Sequence, residues 1–225
     1  MKLIYRISDV GYSKVKPGYI NNESCLKNAS QVFDKADWLV IADNCSQPTL
    51  DMISKYQSNI VKVSVGHGAG TFNLALTEAL KYDDKDIVYF LENDYLHKPE
   101  SQEILLEGFD TGADYVSLYD HPDKYINGAN PYVESGGEVT RLMLTKSCHW
   151  KITNSTTMTF ASKIKTLRDD EQILRYYTSG TYPKDFEMFL SLSDSKSKSL
   201  VTPVPGYSTH GETAWLTPLI DWSKI

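Results

Sequence analysis

Two carboxylates one residue apart, Glu92 and Asp94, close the apolar run Asp86-Ile87-Val88-Tyr89-Phe90-Leu91. Apolar and aromatic residues fill the run, which reads as a buried strand, so both acids fall at its carboxyl end. Ligands of open α/β sheets bind outside that end of the strands. Carboxylate oxygens there suit a hard divalent cation, Mn²⁺ or Mg²⁺, of the kind shared between one or two protein acids and substrate phosphates. The same acids could serve only to cap the next helix, which Pro99-Glu100 opens. The motif alone leaves both readings standing.

Other strand ends in the first half are also polar or glycine-rich: Ser8-Asp9, Asp43-Asn44 and Gly66-His67-Gly68-Ala69-Gly70. Asp43 can accept hydrogen bonds from a ribose or a base. The glycine segment precedes a helix, whose N-terminal N–H groups favour anions. It is no dinucleotide fingerprint, because the third glycine of G-x-G-x-x-G is replaced by Asn73; a tight turn is the plainer reading. Later, Asp185 and Glu187 open an amphipathic helix with Phe186, Phe189 and Leu190. They either complement the helix dipole, or Asp185 is a general base for an incoming hydroxyl. His210, in Ser208-Thr209-His210-Gly211-Glu212, gains meaning only if the tail folds back to Asp94, where an imidazole could be a second metal ligand. His149-Trp150 suits either core packing or a sugar-facing platform.

The elements that must position these groups alternate. Strands are expected at 2–7, 38–42, 60–65, 87–91 and 115–119, and helices at 23–35, 49–56, 71–81 and 100–109. Such alternation predicts βαβ units and a mostly parallel sheet. After Asp120 the pattern changes: a loop over 120–137, strands at 138–144 and 156–161 as a small antiparallel element, helices at 162–177 and 185–192, and an irregular tail from Pro203. No linker or repeat divides the chain. The expectation is one domain over 1–225, with a half-sheet of nucleotide-binding type at 1–120 and a second half at 121–225 that completes the site.

Composition bounds the partners. Net charge is −6 with no basic cluster, against a nucleic-acid face. Cys25, Cys45 and Cys148 form no metal-type or disulfide pattern, which points to a reducing, cytoplasmic compartment. The N-terminus does not read as a signal peptide, and no apolar window reaches the ~18 residues of a membrane span.

Taken together, four segments resemble GT-A glycosyltransferases, nearest the family-2-like inverting enzymes: Leu39–Ser46 as the nucleoside-binding strand end, Gly70–Leu76 as the helix that usually carries an Arg-Asn pair, Phe90–Asp94 as D-x-D in an E-x-D form, and Lys184–Leu190 as the late acidic helix. Phe72 stands where the arginine is usual, and Lys184 where a glutamate is. The resemblance implies a GT-A (Rossmann-like) sheet flanked by helices and a metal-dependent transfer of sugar from a nucleotide sugar to a glycan hydroxyl. It places Asp94 and His210 on Mn²⁺ or Mg²⁺, Ser8, Asp43, Gly70, Asn73, Glu92 and Asn93 at the nucleotide sugar, Asp185 as base, and His149, Trp150 and Glu187 on the acceptor side. The Tyr119-Asp120-His121-Pro122 segment is also similar to chlorovirus capsid-glycan glycosyltransferases, which implies UDP-L-rhamnose as donor and, for a viral protein, the host cytoplasm. A sugar-phosphate nucleotidyltransferase is the other enzyme reading, but Ser8–Ser13 lacks that class's Gly- and Arg-rich signature. A non-catalytic glycan-binding module would need neither metal nor nucleotide.

Overall fold

A computed structural model describes residues 1–225. Its spine is a nine-stranded sheet. The first half supplies β1 (Lys2–Ser8), α1 (Asn22–Val32), β2 (Asp37–Asp43), α2 (Gln47–Ser54), β3 (Ile60–Val63), α3 (Gly68–Ala79), β4 (Ile87–Glu92), β5 (Tyr95–His97), α4 (Ser101–Glu107) and β6 (Tyr115–Val116). The second half supplies β7 (Val133–Glu134), β8 (Gly137–Glu138), β9 (Leu142–Leu144), β10 (His149–Thr153), β11 (Phe160–Lys163), α5 (Ile164–Tyr177), α6 (Asp185–Lys196), β12 (Leu200–Val204) and β13 (Ser208–His210). The strand order is β3-β2-β1-β4-β11-β6-β12-β10-β9. The first four strands are parallel, β11 joins β4 antiparallel, and the far half is mixed.

Strand alternation builds two apolar layers. Leu3, Tyr5 and Ile7 of β1, with Tyr89 and Leu91 of β4, pack on one face together with Leu26, Ala29 and Phe33 of the α1 region. Ile4, Val88 and Phe90 pack on the other, against Phe72, Ala75 and Leu76 of α3 and Leu167 and Leu174 of α5. Interior positions of β1, β2 and β4 are thus apolar on both sides, as parallel strands between helices require. Arg6 is the exception, two residues before the end of β1, on the α3 face.

The second half departs from its sequence pattern. The expected strand at 156–161 begins only at Phe160, because Thr157 and Met158 turn with positive φ. The tail is irregular only beyond His210, where two short 3₁₀ turns stand among loops; before that, Pro203 lies inside β12, opposite Trp150 of β10, and β13 pairs antiparallel with β5. Within 120–137 lie a 3₁₀ turn at Pro122–Tyr125 and the two-residue hairpin strand β7. No helix is long and apolar enough to cross a membrane.

Candidate functional site

The order β3-β2-β1-β4 reverses direction between β1 and β4, the position where open α/β sheets leave a crevice. A cleft opens there, lined by Ser8, Asp43, Gly68, Glu92, Asn93 and Asp94 together with Arg6, Tyr12, Lys14 and Lys16.

Arg6 organises its floor. β1 and β4 pair in register, so Arg6 lies opposite Glu92. The guanidinium is over the Phe72 ring, 5.5 Å from its centroid. Nη2 donates to Glu92 Oε1 at 3.0 Å and to the Met158 carbonyl at 3.1 Å, and Nη1 donates to the Gly68 carbonyl at 3.2 Å. The arginine that α3 lacks at Phe72 is therefore replaced in space by one from β1, stacked on that same Phe72. Glu92 faces the cleft as the partner of this guanidinium.

Asp94 lies in the turn between β4 and β5 and is almost fully buried. His210 reaches it because β13 pairs with β5, with His210 opposite Tyr95. His210 Nε2 lies 3.4 Å from Asp94 Oδ2. The Lys14 ammonium sits between them, 3.1 Å from Oδ2 and 2.8 Å from Nε2, and Lys16 Nζ is 3.3 Å from the same Oδ2. Asp94 Oδ1 is buried without a partner. Burial alone would raise the Asp94 carboxyl, but His210 and the two ammonium groups outweigh it and hold it well below the usual carboxylate range. Lys14, donating at 2.8 Å, makes Nε2 an acceptor and puts the ring proton on Nδ1. Burial would lower Lys14, yet Asp94 and Glu92 hold it above the ordinary lysine value.

The other expected residues divide. Ser8 and Asn93 line the cleft: Ser8 Oγ closes its own turn with Val10, and Asn93 Nδ2 donates to Asn22 Oδ1 at 2.6 Å. Asp43 is at the cleft, but its oxygens accept the Val65 and Gly66 N–H groups at 2.6 and 2.9 Å, so it first fixes that turn. Further along, the Gly70 N–H goes to His67 Nδ1 and the Ala69 N–H to the Thr181 carbonyl, so this glycine segment is largely self-satisfied rather than an open anion cradle.

Four expectations are corrected. Gly70 is a packing residue, since a Cβ there would lie 2.3 Å from Val65 Cγ1. Asn73 ties α3 to the end of α5, donating to the Thr178 carbonyl at 2.7 Å and accepting from Arg175. Trp150 is wholly buried, with its indole N–H on Thr145 Oγ1. His149 lies beside it on β10, four strands from β4 and thus roughly 20 Å across the sheet at ~4.8 Å per strand. Neither residue of that pair can present a sugar platform at the cleft.

Asp185 stands at the first turn of α6, half-buried, and its Oδ2 accepts the Thr156 and Thr157 N–H groups at 3.0 and 2.8 Å. Thr157 Oγ1 meets the Tyr95 hydroxyl, and the Met158 carbonyl meets Arg6. Asp185 is thereby linked through one strained turn to the Arg6–Glu92 pair. Glu187 is exposed one step along α6.

Arg6, Tyr12, Lys14 and Lys16 are absent from the sequence-based site. Only the charge of Arg6 inside an otherwise apolar strand signalled one of them. Lys14 and Lys16 belong to a segment without periodicity.

A parallel block with an acid pair at its switch point and basic side chains over it has the α/β architecture of the GT-A fold. The sequence profile described as glycosyl transferase family 2 matches residues 23–168, well over half of the chain, and the protein belongs to that family. No curated protein sequence matches it. Among solved structures it is similar to GalNAc-T7 with UDP, GalNAc and Mn²⁺ (12% identity, 96% of this chain and 44% of that one, TM-score 0.61). It is also similar to HddC from Yersinia pseudotuberculosis (12%, 95% and 95%, 0.50) and to CMP:2-keto-3-deoxy-manno-octonic acid synthetase complexed with CTP (14%, 95% and 93%, 0.50). At these identities the likeness is one of fold, and this chain spans less than half the length of GalNAc-T7.

Proposed function

We propose that the protein transfers a sugar from a nucleoside-diphosphate sugar to a glycan hydroxyl with inversion, residues 1–120 holding the donor and 121–225 the acceptor. The observation that carries this reading is the convergence of Asp94 and His210 on one cation position at the β1–β4 switch point. His210 Nε2 and Asp94 Oδ2 are 3.4 Å apart, so these two residues would hold the ion. Asp94 Oδ1 adds a buried oxygen without another partner. A carboxylate and an imidazole fit Mn²⁺ or Mg²⁺ completed by phosphate oxygens and water. When bound, such an ion would neutralise charge on the leaving diphosphate. GalNAc-T7 with UDP and Mn²⁺ supports UDP and Mn²⁺ as the first pair to test, with UDP-L-rhamnose among the UDP-sugars.

The chain's own residues do the rest. Ser8, Asn93 and Glu92 border the donor, Glu92 held in place by Arg6. Asp185 takes the acceptor proton: the two backbone N–H groups fix Oδ2, and Oδ1 is left to face a hydroxyl. The group must lie within hydrogen-bond reach on the side opposite the leaving group. Asp185→Asn should lower turnover roughly 10²–10⁴-fold, the usual contribution of a positioned base, and leave nucleotide affinity nearly unchanged. Proton NMR of fresh product reads the anomeric configuration. Retention, or near-normal turnover in Asp185→Asn, would sink the mechanism.

The full-length fold likeness to the CTP-bound synthetase favours nucleotidyl transfer as the second reading. The released product separates the two: a nucleoside diphosphate for glycosyl transfer, pyrophosphate for nucleotidyl transfer.

A further inference from the structure

The cation position that Asp94 and His210 define is held by the protein itself. Lys14 Nζ contacts both Asp94 Oδ2 and His210 Nε2, so an ion held by this pair would compete with the ammonium for them. Two cations cannot share the position, because like charges a few ångströms apart in a half-buried cleft repel strongly. Lys16 adds a second ammonium at 3.3 Å from the same carboxylate. Asp94 with these two lysines carries a local charge of about +1, while the charged side chains lining the whole cleft, with Arg6, Asp43 and Glu92 added, balance. A bare divalent ion therefore meets an occupied position whose immediate surroundings are already positive.

The lysines arrive on a strap, residues 9–18, with neither helix nor strand apart from a terminal turn. It crosses the cleft and is tied down at its sides. Tyr12 donates to the Thr181 carbonyl and stacks on Tyr182 at 4.7 Å, while the Val15 carbonyl accepts from the Thr213 N–H at 2.8 Å. Val10 and Val15 point to solvent. The strap contributes little apolar burial, so Lys14 can change partner without disturbing the core.

We propose that Lys14 is a tethered cation that holds the Asp94–His210 pair while the cleft is empty and gives it up only to a metal ion arriving with a diphosphate. The diphosphate supplies the acceptor that the displaced ammonium needs, so Lys14 and Lys16 exchange a carboxylate for phosphate oxygens. Divalent metal and nucleotide then bind as a coupled pair, and neither lysine is left as an unpaired charge. This rests on the metal reading of Asp94 and His210 given above.

Mn²⁺ binding to the intact protein, followed by electron paramagnetic resonance and calorimetry with no sugar transfer involved, tests it. Wild type should bind Mn²⁺ weakly alone and far more tightly with UDP, but not with uridine. Lys14→Met removes the charge and keeps the apolar stem. It should tighten Mn²⁺ binding without nucleotide roughly 5–150-fold, the usual range of a coupling between sites, and shrink the UDP effect by the same factor. Lys14→Arg should behave like wild type, and Lys16→Met should shift Mn²⁺ affinity less, since Lys16 touches Asp94 alone. Unfolding temperatures confirm that each variant is folded. Equal Mn²⁺ affinity in wild type and Lys14→Met, with UDP tightening both alike, would overturn the tethered-cation role while leaving the metal site intact. UDP binding in EDTA with no Mn²⁺ effect in any variant would overturn the metal reading and this proposal with it.

Discussion

At the scale of single residues, the site depends on two acids in different hands. Glu92 is held by a guanidinium that is nearly sealed from solvent, and Asp94 by two ammonium groups and an imidazole. Breaking the first pair leaves Glu92 facing a cleft with its counter-charge gone. Removing one partner of a buried ion pair typically costs 3–5 kcal/mol, and Glu92 is only partly buried, so about 3 kcal/mol is the expectation for Arg6→Met. For a chain of this size that lowers the unfolding temperature by about 6–12 °C. Adding Glu92→Gln should recover part of the loss, because the orphaned charge is removed. A single variant as stable as wild type would show that Arg6 is not the organising group. The E-x-D pair was readable from the sequence because strand and acids are contiguous. Arg6 was not, since its partners Glu92, Met158 and Gly68 are joined only by folding.

Among the elements, the short ribbon of β5 and β13 matters most, because it sets His210 beside Asp94. His210 was expected to reach Asp94 if the tail folded back, and the tail does so, by strand pairing rather than as irregular chain. The pattern hid this: β5 and β13 are three residues each, and Pro203 reads as a strand breaker although it lies inside β12. Long-range pairing of such short strands leaves no local signal. The ribbon also buries His97, whose Nε2 meets the Tyr89 hydroxyl at 2.9 Å while its backbone is bracketed by Asn28. Burial pushes the His97 imidazole down to about 3. The unfolded chain, with an ordinary histidine near 6.5, binds that proton first. Stability is therefore present above about pH 6.5 and falls as pH drops from there towards 3, by up to about 1.4 kcal/mol per unit. Urea unfolding at pH 6.5 and pH 5 should show wild type losing about 2 kcal/mol more than His97→Gln. Parallel losses in both proteins would place the acid sensitivity elsewhere.

For the whole molecule, the two halves of the sheet do different things. The parallel half was legible, because each strand is followed by a helix with a matching apolar face, and Asp43, Glu92 and Asp94 came with the strand ends. The mixed half was not: β10 and β12 were missed, and His149 and Trp150 were placed at a cleft that lies across the sheet from them. The halves are joined by the β4–β11 pairing and, at the site, by the chain of contacts from Asp185 through Thr157 and Met158 to Arg6 and the return of His210 to Asp94. The central claim is that this junction binds a diphosphate through a cation held by Asp94. Calorimetric titration of UDP in Mn²⁺ and in EDTA, for wild type and Asp94→Ala, tests it most directly. The account predicts that Mn²⁺ tightens UDP binding to wild type roughly 30-fold or more, the effect of a desolvated charge contact worth 2 kcal/mol or above. That gain should vanish in Asp94→Ala, with uridine affinity unchanged in both proteins. Equal UDP affinity in the two proteins, in Mn²⁺ as in EDTA, would contradict it.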